Sequence, residues 1–212
     1  MRHFKRIVIW TVACLSLCAM FVGCGKSEEV NVPITTNTVE VSEDGRLIAY
    51  IVEDFDKDYY DINELKSMVD EEIAAYNTAK ANLVTQEGST PVIVEKVAMA
   101  EDGSKKAVVA LSFQNAALYS DYMGKEAFLG TVSDAAEKGY VLDGMLKSVK
   151  NDELLIGEQL KKSQDKTILI IKDSVMVRTY NDVQYLSKNA SLTKEGFVNA
   201  QTQGELKYII IK

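Results

Sequence analysis

From Thr38 onward the chain falls into short apolar runs broken by Asp-Gly turns. Val39 and Val41 alternate with Thr38 and Glu40, Glu43-Asp44-Gly45-Arg46 supplies a turn, and Leu47–Val52 returns. Asp-Gly between two strand-like runs is a strong hairpin signal. The return run is apolar on both faces, which predicts a central strand. A helix is predicted next. Asp61 can cap it, and Glu64, three residues on, can complete a capping box. Ile62, Leu65, Val69, Ile73 and Tyr76 recur at helical spacing and form one stripe, with Asp70, Glu71 and Lys80 off it, so this long amphipathic helix runs to about Leu83. A second hairpin follows, from Val92 to Met99, through Glu101-Asp102-Gly103-Ser104, and back from Ala107 to Phe113. A short helix is predicted over Asn115–Met123.

Each hairpin therefore leads into a helix. A repeated ββα unit is one reading of that; chance recurrence of Asp-Gly turns is the other. Beyond it, Ala127–Gly130 predicts a strand, and Ser133–Lys138 a short helix stopped by Gly139. Tyr140–Val149 is expected to be extended and Asp152–Ser163 helical. The end reads as β-rich, with runs at Thr167–Ile171, Val175–Tyr180, Val183–Leu186 and Leu206–Ile211 and a turn at Asn181-Asp182. Strand pairs with interspersed helices, and no regular strand-helix alternation, predict an α+β fold with a largely antiparallel sheet.

The first residues have a different pattern. Arg2, Lys5 and Arg6 precede an apolar run from Ile7 to Val22, closed by Gly23-Cys24. The order basic, apolar, small is that of an export signal; the run is shorter than the roughly 20 residues of a spanning helix, so an uncleaved anchoring helix, which gives the same compartment, is the poorer-fitting alternative. Phe21-Val22-Gly23-Cys24 resembles the lipobox of bacterial lipoproteins. Gly23 and Cys24 match it, and Phe21 stands where the family usually has Leu. The resemblance covers only these first 24 residues. It implies removal of residues 1–23, a diacylglyceryl lipid with its acyl chains (palmitate or similar) on Cys24, and tethering at the extracytoplasmic face of the cell membrane. Two chains anchor stably, at about 0.8 kcal/mol per buried methylene. Residues 24–37 are polar, contain Pro33 and read as a spacer, leaving 38–212 as a single domain.

Composition narrows the chemistry of that domain. The three cysteines (Cys14, Cys18, Cys24), the one histidine (His3) and the one tryptophan (Trp10) all lie at or before Cys24. The domain thus has no disulfide, and no imidazole or thiol for Ser-His-Asp or Cys-His catalysis, His/Cys zinc sites or CxxC redox work. Catalysis would have to use carboxylates, Lys, Tyr or Ser. The net charge of −7 becomes about −10 once the three basic signal residues are removed. A domain this acidic, without a basic cluster, is predicted to be a poor nucleic-acid binder and to be repelled by anionic lipid head groups.

Three segments carry candidate chemistry. Asp54, Asp56 and Asp58 have the D-x-D-x-D spacing that opens a calcium loop, but the sixth position is Tyr59 instead of Gly and the twelfth is Leu65 instead of Glu. An EF-hand is excluded; a looser calcium site and an acid-rich lead into a helix N-terminus are the two readings left. All ten tyrosines follow Cys24. Tyr59, Tyr60, Tyr119 and Tyr122 are candidates for a carbohydrate- or protein-binding patch, since a phenol ring packs while its hydroxyl hydrogen-bonds; ordinary sheet packing is the alternative. Gly130-Thr131-Val132-Ser133 precedes a short helix, where backbone N–H groups can bind an anion, but without a GxGxxG or P-loop lysine it reads as an ordinary turn and N-cap.

These observations predict a non-catalytic extracytoplasmic binding or accessory module for a protein or cell-envelope component. A carboxylate- or Lys/Tyr-based enzyme acting on cell-wall material and a calcium-stabilised surface domain are the alternatives.

Overall fold

The structure is a computed structural model that describes residues 33–84 and 88–212. Residues 1–23 and Cys24, on which the export and lipidation expectations rest, lie outside the described residues. Pro33–Lys212 forms one compact unit, built from two sheets with helices on the flanks: the expected α+β class.

The first hairpin is β1 (Thr38–Val41) and β2 (Leu47–Asp54). The long helix α1 spans Ile62–Lys80 and tightens into a single 3-10 turn over Ala81–Leu83. Asp61 caps α1 by accepting from the Asn63 N–H at 2.7 Å. The cap is this single bond, not the reciprocal pair expected with Glu64, whose charge still favours the helix start. The predicted stripe faces inward: Ile73 is buried and Val69 and Tyr76 pack beside it. The second hairpin is β3 (Val92–Met99) and β4 (Lys106–Phe113), followed by α2 (Ala116–Met123). Both ββα units are thus present, and β2 pairs antiparallel with β4 from Leu47↔Phe113 to Asp54↔Lys106. The two helices dock differently, α1 against β3 and α2 chiefly against the next strand, β5.

β5 (Ala127–Thr131) and α3 (Val132–Glu137) match their expected places. Gly139, at φ 88°, ends α3 in the left-handed conformation that glycine adopts without strain. The next stretch differs from expectation. Of Tyr140–Val149 only β6 (Leu146–Ser148) is strand, and of Asp152–Ser163 only α4 (Gly157–Lys161) is helix. Asp152 at φ 58° and Gly157 at φ 51° interrupt a right-handed helix. Between them the backbone returns alongside β6, with Lys147 opposite Leu154. The chain ends with β7 (Thr167–Ile171), β8 (Val175–Thr179), β9 (Val183–Ser187), two unforeseen short strands β10 (Ser191–Leu192) and β11 (Val198–Ala200), and β12 (Lys207–Ile211).

The first sheet has the order β10-β11-β8-β1-β2-β4-β3 and the second β5-β7-β12-β9-β6. Every pairing between these strands is antiparallel except β1 with β8. One core lies between the sheets, where Val39, Leu47 and Val177 meet Leu169, Ile209 and Ile211, and Ile73 and Leu118 close it from α1 and α2. A second core covers the other face of the second sheet, where Ile168, Ile170 and Ile210 pack with Val132, Ala135, Leu146 and Leu155. β7 and β12 are sandwiched by both, which is why they read as unbroken apolar runs.

Candidate functional site

Asp54 ends β2, while Asp56 pairs with its neighbour Lys57 at 3.1 Å. Asp58 lies farther along the same exposed connection. Among the described residues, no group of three or more Asp, Glu, His or Cys side chains gathers closely enough to hold a metal. The tyrosines divide. Tyr59 and Tyr60 are exposed and sit edge to face at 4.9 Å, with Phe55 against Tyr60 at the same distance. Tyr119 must be removed from the candidate patch. It is 0 % exposed, lies against Phe113, and donates to Asp173 at 2.8 Å, because its helix turns that face into the inter-sheet core. Tyr122 is half-buried, edge to face with Tyr76, and donates to Glu72 at 2.8 Å. These two tyrosines bind the protein to itself. At Gly130-Thr131 the helix start is closed by a capping box between Thr131 and Asp134.

The polar clusters of the interior serve the fold. Lys207, 0 % exposed, donates to the carbonyls of Asp173, at 3.0 Å, and Thr202. Burial pushes its ammonium pKa down, opposed by Asp173 and Glu205. Burial also pushes the Tyr119 phenol up, with the Asp173 carboxylate adding to it. On the outer face of the first sheet, Arg178 and Tyr50 both donate to Glu40, tying β8, β1 and β2 together. The clear carboxylate shifts among the described residues are all downward. Asp44 is lowered by Ser42, Glu101 by Lys96, Asp102 by Ser104, Asp121 by Lys80 and Tyr76, and Asp134 by Thr131. Acids held ionised in turns and caps are suited to local structure; a general acid needs the opposite shift.

The distinctive surface lies elsewhere, where the β6 edge of the second sheet approaches β10 of the first. Two adjoining clefts share Ser148 and Val149. One, of ≈ 410 Å³, is lined by Lys147, Lys188, Asp152, Leu186 and Leu192 among others. Its neighbour, of ≈ 520 Å³, is lined by Lys150, Lys166, Lys212 and Asp182, with Gln184 and Tyr185 behind them. Five lysines thus meet two aspartates on one end of an acidic protein. Among the described residues, none of the five has an acidic partner within ion-pair distance. Lys166 is fixed by donating to Gln184 Oε1 and by sitting 5.9 Å above the Tyr185 ring. Strand pairing does the gathering: β6 joins β9 through Lys147↔Leu186 and Ser148↔Tyr185, and the Lys212 N–H donates to the Asp182 carbonyl at 2.9 Å. Sequence reading missed this surface because its cations lie scattered from Lys147 to Lys212 with acids between them. The available signal was the β-rich C-terminal region itself, whose pairing folds that span back on one edge.

No protein-family model matches the chain, and neither a curated protein nor a solved structure matches it.

Proposed function

We propose that this protein is a lipid-tethered extracytoplasmic binding module and that the lysine-lined clefts at the β6–β9 edge take an anionic component of the cell envelope. The observation that carries the reading is the gathering of five lysines without acidic ion partners in a chain of net charge −7. Cations that outnumber the acids beside them and form no ion pair with them raise the local concentration of an anion and hold it by many weak contacts. The openness of both clefts to solvent suits an extended or flat partner. The tether is the Cys24 lipid that the lipobox resemblance implies, with residues 24–37 as its spacer.

Two measurements test the two halves. Cys24→Ala should shift the protein from the membrane fraction and abolish palmitate labelling; retention of both would end the lipoprotein reading. For the site, the unlipidated chain from Gly25 to Lys212 is titrated with inorganic polyphosphate. Binding should weaken as salt is added and drop at least about tenfold in Lys147→Glu/Lys188→Glu, at roughly 1 kcal/mol or more per cation lost at an anionic surface. Lys57→Glu, remote on the acidic connection, should bind as the parent does. Equal affinity in parent and cleft variant would rule these lysines out as the site.

A further inference from the structure

The lip of the lysine clefts carries an apolar face that the fold does not use. β6 and the returning segment 153–156 run antiparallel, held by Ser148 N–H to the Glu153 carbonyl and Leu155 N–H to the Leu146 carbonyl, both at 2.9 Å. Side chains alternate across such a pair. Leu146 and Leu155, both 0 % exposed, enter the second core. The alternate positions turn the other way: Met145, Val149, Leu154 and Ile156 are 43, 40, 40 and 52 % exposed, with Lys147 among them. Lys147 stands opposite Leu186 in the β6–β9 register, so this face continues into the first cleft, with Leu192 on its far wall.

We infer that this face docks on an anionic lipid bilayer, the four apolar side chains entering the head-group boundary while Lys147, Lys150 and Lys188 meet the lipid phosphates. The inference rests on the anionic-partner reading above and names that partner. The argument is charge complementarity together with apolarity on one surface. A bilayer interface offers negative head groups and an apolar layer side by side, which is what amphipathic surface-binding elements exploit. A free anionic polymer satisfies the lysines and leaves Met145, Leu154 and Ile156 in water. A second copy joined through the same patch brings two lysine-rich faces together, since a two-fold interface uses the same patch on both subunits. A peptide strand finds no free edge on β6, because 153–155 already occupies it. The acidic net charge predicted repulsion from such a membrane; the cations gathered at one end give that face the opposite sign.

The chain from Gly25 to Lys212 without lipid is the right probe, because Pro33–Lys212 is one compact unit carrying both cores. It is mixed with vesicles of equal parts phosphatidylglycerol and phosphatidylcholine, with vesicles of phosphatidylcholine alone, and with polyphosphate. The expected result is binding to the anionic vesicles and not the neutral ones. It should fall at least about tenfold in Leu154→Ser/Ile156→Ser, which keep every lysine, and about as much in Lys147→Glu/Lys188→Glu. Polyphosphate binding should fall only in the lysine variant. Residues 25–212 contain no tryptophan, so Leu154→Trp gives a single reporter whose emission should shift to the blue on anionic vesicles. That readout does not depend on how well the serine variant folds. Polyphosphate binding without vesicle binding, or vesicle binding with no blue shift and no loss in the serine variant, overturns the bilayer and leaves a soluble anionic polymer in the clefts. Binding to neither probe removes the anionic-site reading as well.

Discussion

β12 and the hairpin that carries β6 belong to the same sheet, yet Lys207–Ile211 is buried at every position while Met145, Val149, Leu154 and Ile156 remain 40–52 % exposed. β12 has a strand on each side and a core on each face. β6 has one strand and a short return beside it, and only Leu146 and Leu155 find a core. The backbone geometry is alike, so the difference is one of coverage. Where both faces are packed, apolar side chains supply stability; where one face is left open, the same kind of side chain is available to a partner. Placing the five lysines at the open end, and not over the packed centre, makes that end chemically distinct from the rest of an acidic surface.

The sharpest way to break this comparison is to remove mass from the centre. Ile209 is 0 % exposed and paired to Leu169 and Leu186. Ile209→Ala should cost about 3–4 kcal/mol, the transfer energy of the lost methyl groups plus a cavity that rigid neighbours fill poorly. Urea unfolding should show this as a lower midpoint with an unchanged slope. A loss under about 1 kcal/mol would mean that the centre is loosely packed and the contrast with the edge is false.

The same contrast decides what could be read beforehand. Thr167–Ile171 and Leu206–Ile211 are apolar at nearly every position, and two-sided burial produces that pattern directly. Asp44-Gly45 and Asp102-Gly103 fix the two hairpins locally, and Asp61, Asn115 and Gly139 mark helix ends by their own chemistry. The edge was opaque for the opposite reason. Leu146 and Leu155 fit a helical or an extended pattern equally well. β10 and β11 are too short for any period to show. The lysine surface exists only after β6, β9 and the C-terminal residues are brought together, so no local motif encodes it. Tyr119 and Tyr122 look alike in sequence and differ in the fold. One helical turn apart, they share a side of α2 and both meet Phe113, but Tyr119 reaches inward to Asp173 while Tyr122 reaches the exposed Glu72.

A middle-sized effect probes the seam between α2 and the β7–β8 loop, where Tyr119 meets Asp173. Tyr119→Phe removes the hydroxyl that Asp173 accepts and should cost about 1–2 kcal/mol at neutral pH. Its pH dependence has a definite sign. The phenol pKa is raised from 10.0 in the folded protein, as are those of Tyr76 and Tyr122. The unfolded chain therefore releases these protons first, and the stability they contribute is present below pH 10 and lost as pH climbs above it. Lys207 acts in the other sense. Its pKa lies below 10.5 when folded, so the cost of burying its charge eases as pH rises toward 10.5. With Tyr50, Tyr140 and Tyr208 shifted the same way, six raised tyrosines outweigh one lysine, and thermal melts should fall steeply above pH 10. Tyr119→Phe should melt lower at pH 8 and lose less on going to pH 11. A parallel drop in both proteins would mean that the Tyr119 phenol is free to ionise and the seam is open.

The smallest effect belongs to the edge. Leu154→Ser/Ile156→Ser should change folding stability by no more than about 0.5 kcal/mol, as expected of exposed positions away from caps and cores. Both side chains are 40 % exposed or more and neither belongs to either core, so truncating them leaves no buried cavity. The backbone bonds that pair 153–155 with β6 do not involve these side chains. Matched urea curves for parent and variant are the check, run on the samples used for vesicle binding. A loss of 2 kcal/mol or more would show that Leu154 and Ile156 help hold the hairpin closed. The face would then be packing that happens to be half-exposed, and its loss of vesicle binding would report unfolding. Unchanged stability with lost binding separates the two roles within one sheet, with the centre retained for folding and the edge for contact.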